Sequence, residues 1–276
     1  SEGTLGVITK VTLKIHPIPE ARKFRAYLFK DFHTAMSAGA DLMRSRLRPC
    51  AVRLYDETET RTHVQKVFGI DIDSGAYLVF GFDGYEKIVD LEMEEAMKIM
   101  KQYDVKDLGS KGGDMWWENK YKFFYPPYMF HMPQAFGTLD TVATFSRIEN
   151  VYWAMKETVE ENFPEATFIG HFSHWYDWGC MLYARFIFEQ APEDPAEAAA
   201  LYNRVWDLAI RAAIRDHNEI SRVMTEIGDL RKAANPVITG YEFHVLQLVS
   251  QVCPHKRILP YLKQTLTELK RRKPDA

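Results

Sequence analysis

Two predicted strands separated by a short turn constrain the fold of this chain more than any other feature. The segments 167–174 and 180–188 have strand character, and Asp177 to Gly179 form the turn between them. A connection this short makes the two strands antiparallel neighbours. The chain therefore contains an antiparallel sheet.

The segments that precede this hairpin alternate between strands and helices. Alternating or apolar strand patterns occupy 24–29, 51–55, 75–82 and 139–145. Helical patterns occupy 32–46, 56–67 and 85–103, a helix from Ser146 onward and 195–217, with Asp31, Asp56 and Ser146 as N-caps. We expect an α+β fold in which helices cover one face of an antiparallel sheet.

The first nineteen residues, SEGTLGVITKVTLKIHPIP, form the second informative segment. Gly3 and Gly6 let the backbone turn tightly or approach a flat ligand, and 7–15 has the β-branched alternation of a strand. Pro17 and Pro19 end that strand. The simpler alternative is a glycine turn before an ordinary strand, because short glycine motifs are unspecific.

Composition excludes several function classes. With 35 Lys and Arg against 38 Asp and Glu, the formal net charge of −3 gives no sign of a nucleic-acid surface. We find neither a signal peptide nor an apolar run of membrane-spanning length. Cys50, Cys180 and Cys253 are too widely spaced for a disulfide framework or a zinc motif, which favours the reducing cytoplasm.

Candidate catalytic residues lie in the segment 171–185, HFSHWYDWGCMLYAR. Strict strand alternation puts Phe172, His174 and Tyr176 on one face, and a His beside a Tyr suits proton transfer. The alternative is a His–Tyr pair buried in an aromatic core. A metal site at His171, His174 and Asp177 is weaker, because alternation puts the two histidines on opposite faces.

Aromatic residues also cluster in 116–128. Trp117 and Tyr128 belong to this cluster and are candidates for the wall or entrance of a substrate pocket. An exposed amphipathic loop is the alternative.

The N-terminal residues carry a specific resemblance. SEGTLGVIT, the Lys/Thr-rich strand and Pro-x-Pro resemble the end of the flavin domain in FAD-linked oxidases of the vanillyl-alcohol-oxidase type. The resemblance implies that 1–19 is the last strand of an otherwise absent FAD domain. It also implies that FAD is contacted by Ser1, Glu2, Gly3, Thr4, Gly6 and Ile8. The rest would be a ferredoxin-like cap domain, 20–235, followed by a helical tail, 236–276.

A second resemblance is to the alkyldihydroxyacetonephosphate synthases. It rests on Ser-His-x-Tyr-Asp-x-Gly at 173–179, on Pro-x-x-x-Arg-Leu-x-Asp at 49–56 and on the strand at 138–144. It implies that Tyr176 is the active-site acid or base, with His174 and Arg53 as neighbours.

The chain also departs from that family. The family's histidine run falls on Val223, Met224 and Thr225, and Phe130 replaces an arginine expected to meet the substrate phosphate. The segment 241–272 instead has the pattern of two amphipathic helices broken at Pro254 and Pro260.

We therefore expect the cap portion of a cytoplasmic FAD-dependent oxidoreductase that acts on a small molecule and works with a flavin domain in cis or in trans. An ether-lipid-forming synthase is one alternative. An inactive fragment or docking subunit is another. A homo-oligomer is a further possibility for the chain.

Overall fold

The fold was analysed in a computed structural model that describes residues 5–69, 72, 74–122, 135–233 and 255–272. Its strands are β1 (Ala21–Phe29), β2 (Ala51–Tyr55), β3 (Ala76–Gly84), β4 (Val105–Leu108), β5 (Ala135–Thr144), β6 (Ala166–Trp175) and β7 (Gly179–Phe188). Its larger helices are α1 (Phe32–Arg44), α4 (Glu86–Met100), α5 (Gly109–Asn119), α6 (Ile148–Asn162), α7 (Pro195–Ala233) and α8 (His255–Arg272). Between β2 and β3 lie α2 (Glu57–Glu59), a π-helical turn (Thr60–Val64) and α3 (Gln65–Phe68).

All seven strands form one antiparallel sheet in the order β4-β1-β3-β2-β6-β7-β5. The elements β1-α1-β2-β3-α4-β4, here called the first half, have the ferredoxin-like connectivity and strand order 4-1-3-2. The elements β5-α6-β6-β7-α7, the second half, repeat this connectivity without a fourth strand. The halves join where β2 pairs with β6. The predicted α+β, ferredoxin-like class is confirmed.

The two faces of the sheet are covered differently. The main core lies on one face, where α1, α4, α6 and α7 pack on the sheet. Its fully buried side chains come from both halves and include Phe29, Leu54, Phe80, Phe168 and Phe186. We call this the helix face.

On the opposite face, the described helices cover the sheet over the first half, while over the second half Ile169 and Ile187 form only a small buried cluster with Phe136. In the first half, Phe24, Tyr77 and Val79 pack with Phe68 and Trp116, which come from α3 and α5. The four large helices thus cover one face, as predicted, while α5 and the short helices add a second, smaller layer. We call the side of the sheet away from the large helices the open face.

Most helix and strand predictions are confirmed, including the Asp31 cap, whose Oδ1 accepts a 2.7 Å hydrogen bond from the Thr34 N–H. The Ser146 cap is wrong. Helix α6 begins at Ile148 without a side-chain cap, and the Ser146 hydroxyl lies 3.0 Å from that of Thr144 instead. The Ser146 hydroxyl therefore contacts the last residue of β5 and not the first turn of α6.

The predicted strand at 7–15 is not formed in this structure. Residues 6–19 have no regular secondary structure, and Val7, Leu13 and Ile15 are 75–89% exposed. A strand needs a neighbouring strand for its backbone hydrogen bonds, and no described segment pairs with this one.

Helix α5 was missed because its sequence, GSKGGDMWWEN, is rich in glycine. Packing requires those glycines. A Cβ on Gly113 would lie 2.5 Å from the backbone nitrogen of Arg25, so only glycine lets α5 approach β1 this closely.

The carboxy-terminal helices also differ from the expectation. Helix α7 runs on to Ala233, beyond the predicted end at 217. Pro260 lies inside α8 and does not break it, so the predicted break there is wrong. The proposed break at Pro254 lies outside the described residues. None of the helices in the described part of the chain is both long enough and apolar enough to cross a membrane.

Strand β6 contains a bulge at Ser173. Phe172 pairs with Leu182, but His174 pairs with Met181 and Trp175 with Cys180. The extra residue rotates the end of the strand, so Trp175 points to the helix face beside Phe172. There its indole lies against Gly39 of α1, where a Cβ would come within 2.6 Å of the ring.

Candidate functional site

A cavity of about 310 Å³ lies on the open face, at the seam between the halves. That volume is at the small end of the range for ligand pockets. The first half contributes β2, and the helices connected to it contribute Glu59 at the end of α2 and the end of α5. The second half contributes one residue each from β6 and β7. The lining residues are Cys50, Ala51, Arg53, Tyr55, Glu59, Trp116, Trp117, Lys120, Tyr121, His171 and Arg185.

Four residues that are paired across neighbouring strands form the floor next to this cavity. Tyr55 of β2 is opposite His171 of β6, which is opposite Tyr183 of β7, which is opposite Asp140 of β5. The His171 ring lies 5.5 Å from the Tyr55 ring and 4.8 Å from the Tyr183 ring, measured between centroids. A row of polar and aromatic groups thus crosses the seam on the open face.

A buried ion pair closes the inner end of the cavity. Glu59 is fully buried at the start of the π-helical turn, and its Oε1 accepts a hydrogen bond from the guanidinium of Arg185, which is 3% exposed. The π-helical turn is a rare structure that occurs preferentially at functional sites. The other carboxylate oxygen, Oε2, lies 3.6 Å from His171 Nδ1, and neither atom has a hydrogen-bond partner.

The electrostatics of the cavity favour a neutral histidine. Burial and the nearby positive charge of Arg53 lower the pKa of His171 to about 3. Burial also lowers the pKa of Arg53 below its usual value and that of Arg185 to about 10. The guanidinium groups remain charged at neutral pH, so the cavity has an excess of positive charge.

Trp117 and Lys120 form the outer wall. The Trp117 ring stacks on Phe24, with centroids 5.0 Å apart and planes 19° apart. The Lys120 ammonium lies 3.3 Å from the centroid of Trp117 and 4.5 Å from that of Tyr121. Trp116, further inside, donates a 2.8 Å hydrogen bond from Nε1 to the Tyr55 hydroxyl. This wall offers a cation held over flat apolar surfaces.

Asp56 holds the two halves together behind the cavity. Its carboxylate accepts hydrogen bonds from the Glu59 N–H at 2.6 Å, the Gly170 N–H at 2.7 Å and the Tyr152 hydroxyl at 2.8 Å. Burial raises the pKa of Asp56 to about 7. The predicted N-cap thus also links α2 to β6 and α6.

The structure brings together only some of the predicted site residues. Arg53 and Trp117 line the cavity, whereas His174 and Tyr176 lie at the exposed end of the β6–β7 hairpin and do not. Tyr176 is 43% exposed, and its ring stacks on Trp178 with centroids 5.2 Å apart. Tyr128 lies outside the described residues.

The predicted grouping of side chains on β6 is wrong, because the bulge interrupts the alternation. Phe172 shares the helix face with Trp175, and His174 shares the open face with His171. The two histidines are therefore on the same face, three residues apart. Among the described residues, no group of three His, Cys, Asp or Glu side chains is arranged to hold a metal ion.

Sequence reasoning did not select Glu59, His171 or Arg185 as cavity residues. Arg185 was visible as the one charged residue of the apolar strand β7, whereas His171 is one of several polar residues of β6. Glu59 was hidden within a run of polar helix residues, and only the packing of the π-helical turn shows that it is buried.

The predicted flavin contacts are not assembled into a cradle by the described residues. Ser1, Glu2, Gly3 and Thr4 lie outside them. Gly6 and Ile8 are exposed, and a Cβ added to Gly6 would touch nothing. A flavin therefore does not fit a site formed by these residues alone.

The fold and the cavity define the class of this protein: an α+β domain with one face of its antiparallel sheet left open beside a ligand-sized pocket. Residues 18–213 match the family described as FAD linked oxidases, C-terminal domain. The chain belongs to this family, whose cofactor is FAD.

Individual relatives agree with that assignment. The chain is 28% identical over 223 residues to an alkyldihydroxyacetonephosphate synthase of Trypanosoma brucei brucei, covering 70% of this chain and 36% of that protein. The synthase of Dictyostelium discoideum is 26% identical over 216 residues, covering 69% and 35%. A solved alkyldihydroxyacetonephosphate synthase structure shares the fold, with a TM-score of 0.64 and 24% identity over 78% of this chain and 43% of that one.

This chain spans about a third of the length of these two curated relatives. Residues 199–276 match a second family, described as 2-hydroxyglutaryl-CoA dehydratase, D-component. This second match covers the part of the chain in which the synthase-like histidine run is missing.

Proposed function

We propose that this chain is the substrate-binding cap portion of an FAD-dependent oxidoreductase that resembles alkyldihydroxyacetonephosphate synthase. The observation that carries the proposal is the cavity at the seam, where charged and aromatic side chains of both halves meet on the open face. Arg53, Trp117 and Tyr128 contact a small-molecule substrate. The division into 1–19, 20–235 and 236–276 and a cytoplasmic location are part of the same proposal.

In this proposal, Tyr176 donates or accepts a proton at the substrate, and His174 is its neighbour. Both side chains are exposed on a hairpin, where a covering partner domain can meet them. In the flavin-loaded protein that contains this chain, Tyr176→Phe should lower turnover and leave the flavin content unchanged. Unchanged turnover would rule out this role. Tyr202→Phe, another partly exposed tyrosine, serves as the control.

A flavin domain, in cis or in trans, would complete the enzyme and supply the redox chemistry. The exposed apolar residues of 5–18 support this part of the proposal, because they match a strand that lacks a neighbour. The visible absorbance of the purified chain with excess FAD tests it. We expect no bound flavin. A protein-bound flavin spectrum would mean that this chain, alone or as an oligomer, holds the cofactor.

Ether-lipid synthesis is the second candidate, favoured by the similarity to the two synthases. It requires a cation for the substrate phosphate in place of the arginine that Phe130 replaces. Product analysis with an acyl-dihydroxyacetone phosphate and a fatty alcohol separates the two candidates. Formation of an ether bond would favour the synthase, and oxidation without ether formation would favour the oxidoreductase.

A further inference from the structure

Another polar cavity, of about 390 Å³, lies on the helix face between α1 and α6. One side of α1, between His33 and Arg44, lines it from the first half. Phe145 and the first turn of α6 line it from the second half. This cavity shares no lining residue with the cavity on the open face, and its volume is within the range of small-molecule sites.

Asn150 is the buried polar side chain of this helix-face cavity. It is 3% exposed, and its Nδ2 has no hydrogen-bond partner among the described residues. Buried amide groups are almost always paired in folded proteins, and an unpaired one is costly. The cavity therefore contains a donor that lacks an acceptor, and a molecule bound there can supply one.

The Arg44 guanidinium is a second donor group in the cavity. Its carbon lies 5.1 Å from the centroid of the Phe145 ring. Its Nη1 lies 3.8 Å from Asp41 Oδ1, which is too far for a hydrogen bond, and the other oxygen of Asp41 accepts a 2.5 Å hydrogen bond from the Tyr103 hydroxyl. No described group accepts a hydrogen bond from this guanidinium, so it can bind an acid group.

Glu149 supplies the opposite charge. Its side chain is 12% exposed, and its Oε2 lies 2.7 Å from His33 Nδ1. In the part of the chain that the structure describes, no group donates a hydrogen bond to the other oxygen, Oε1. Two carboxylates line the cavity beside one guanidinium, so with His33 neutral the cavity has one excess negative charge.

These charges exclude the simpler ligands. An acid alone would meet the excess negative charge, and an amine alone would leave the Arg44 and Asn150 donors without an acceptor. We propose that the helix-face cavity binds a small zwitterion. Its acid group accepts hydrogen bonds from Arg44 and Asn150, and its ammonium group lies against Glu149.

Apolar side chains define the rest of the ligand. Met36, Ala40 and Phe145 also line the cavity and provide a surface for an aliphatic group. An α-amino acid with an aliphatic side chain is the simplest molecule that combines these features. Because α1 belongs to the first half and α6 to the second, such a ligand would connect the halves on the side of the sheet away from the candidate substrate cavity.

Calorimetry of the 276-residue chain with three matched probes tests the need for both charges. L-leucine carries both groups, isocaproate lacks the ammonium group, and isoamylamine lacks the acid group. At pH 7 we expect leucine to bind at least about tenfold more tightly than either of the others, because a charge-assisted hydrogen bond contributes that much. Absence of leucine binding, or equal binding by a singly charged probe, would overturn the proposal.

Two variants test the two charge contacts. Arg44→Met should weaken leucine binding by about tenfold and remove its advantage over isoamylamine. Glu149→Gln should weaken leucine binding similarly and remove its advantage over isocaproate. Arg48→Met and Glu161→Gln replace exposed residues outside the cavity and should change neither affinity nor preference. An unchanged leucine affinity in either cavity variant would overturn the contact assigned to that residue.

Side-chain amide NMR of the wild-type chain locates the ligand without any variant. The Asn150 amide signals should shift when leucine is added, because the amide gains an acceptor. Asn162, also on α6, is the control, since its Nδ2 already donates a 2.8 Å hydrogen bond to the Thr158 carbonyl oxygen. Leucine binding without a shift at Asn150 would overturn the assigned site. None of these readouts needs flavin or turnover, so their failure is separate from a failure of the proposed oxidoreductase function.

Discussion

The first and second halves use the same chain connectivity but treat the open face of the sheet differently. In the first half, β4 pairs with the outer edge of β1, and α5 then packs over an apolar surface that includes Phe24 and Tyr77. In the second half, no described strand pairs with the outer edge of β5, and the same face carries Asp140, Tyr183 and other polar groups.

This difference explains where the cavity lies. The helix-covered half supplies a wall formed by Trp116 and Trp117, and the half without a described covering helix supplies His171 and Arg185. The open face of the repeated unit therefore serves packing in the first half and carries polar groups in the second half. The candidate site lies at the boundary between the two halves. The four predictions that follow test this division.

The largest effect should come from removing the cover of the first half. Trp116 is 3% exposed, so Trp116→Ala should lower the free energy of unfolding by about 3–5 kcal/mol. Trp178, 51% exposed on the second-half hairpin, provides the matched control, and Trp178→Ala should cost less than about 1 kcal/mol. Equal losses in chemical denaturation would show that the halves are not covered differently.

Asp56 should make the link between the halves depend on pH. Its pKa is about 7 in the folded chain against about 3.8 ordinarily, so the folded state retains a proton that the unfolded state releases between these values. This contribution is complete below pH 4 and is lost as pH rises to about 7. Each pKa unit corresponds to about 1.4 kcal/mol, which gives up to about 4 kcal/mol.

The Asp56→Asn variant measures this contribution, because an amide does not titrate. The unfolding free energy of the wild type minus that of the variant should fall between pH 4 and 7. Urea unfolding at several pH values gives both curves. A constant difference would mean that Asp56 is ionised throughout this range.

Breaking the buried Glu59–Arg185 pair should cost more stability than breaking an exposed pair, because it leaves a buried charge without its partner. Glu59→Gln removes the carboxylate that neutralises a buried guanidinium, and we expect a loss of about 3 kcal/mol. The control is Asp107→Asn, opposite the more exposed Arg25 in the first half, with an expected loss below about 1 kcal/mol. Thermal unfolding distinguishes these values, and similar losses would argue against a role for the buried pair.

The smallest effect concerns the equivalent helices α1 and α6. Asp31 caps α1, so Asp31→Ala should cost about 1 kcal/mol. Ser146 does not cap α6, and Ser146→Ala should change stability by less than about 0.5 kcal/mol. A larger loss for Ser146→Ala would mean that its contact with Thr144 matters to the start of the second half.

The sequence predicted those parts of the fold that depend on local patterns. Apolar alternation located six of the seven strands, and the short link before Gly179 made the last two antiparallel. Strand β4 was missed because Val105–Leu108 is four residues long and half charged. The glycines of α5 oppose helix formation locally and are explained only by its close contact with β1.

The site was less predictable, because its residues meet only through the pairing of β2 with β6. Arg53 and Trp117 were identified, but His171 and Arg185 depend on strand register for their position next to Glu59. The extra residue at Ser173 also places the β6 side chains that follow it on the face opposite to the one that strict alternation predicts. Local patterns do not indicate this bulge, whose register shift is seen only in the pairing of β6 with β7.

The contact between Trp175 and Gly39 has an evolutionary consequence. The bulge at Ser173 delivers the Trp175 indole to a place where α1 has no room for even one methyl group. In related chains, we expect the length of this hairpin strand and the size of the residue at position 39 to change together. A lineage that loses the extra residue frees position 39 to accept a larger side chain, and it also reorients every residue between the bulge and the turn.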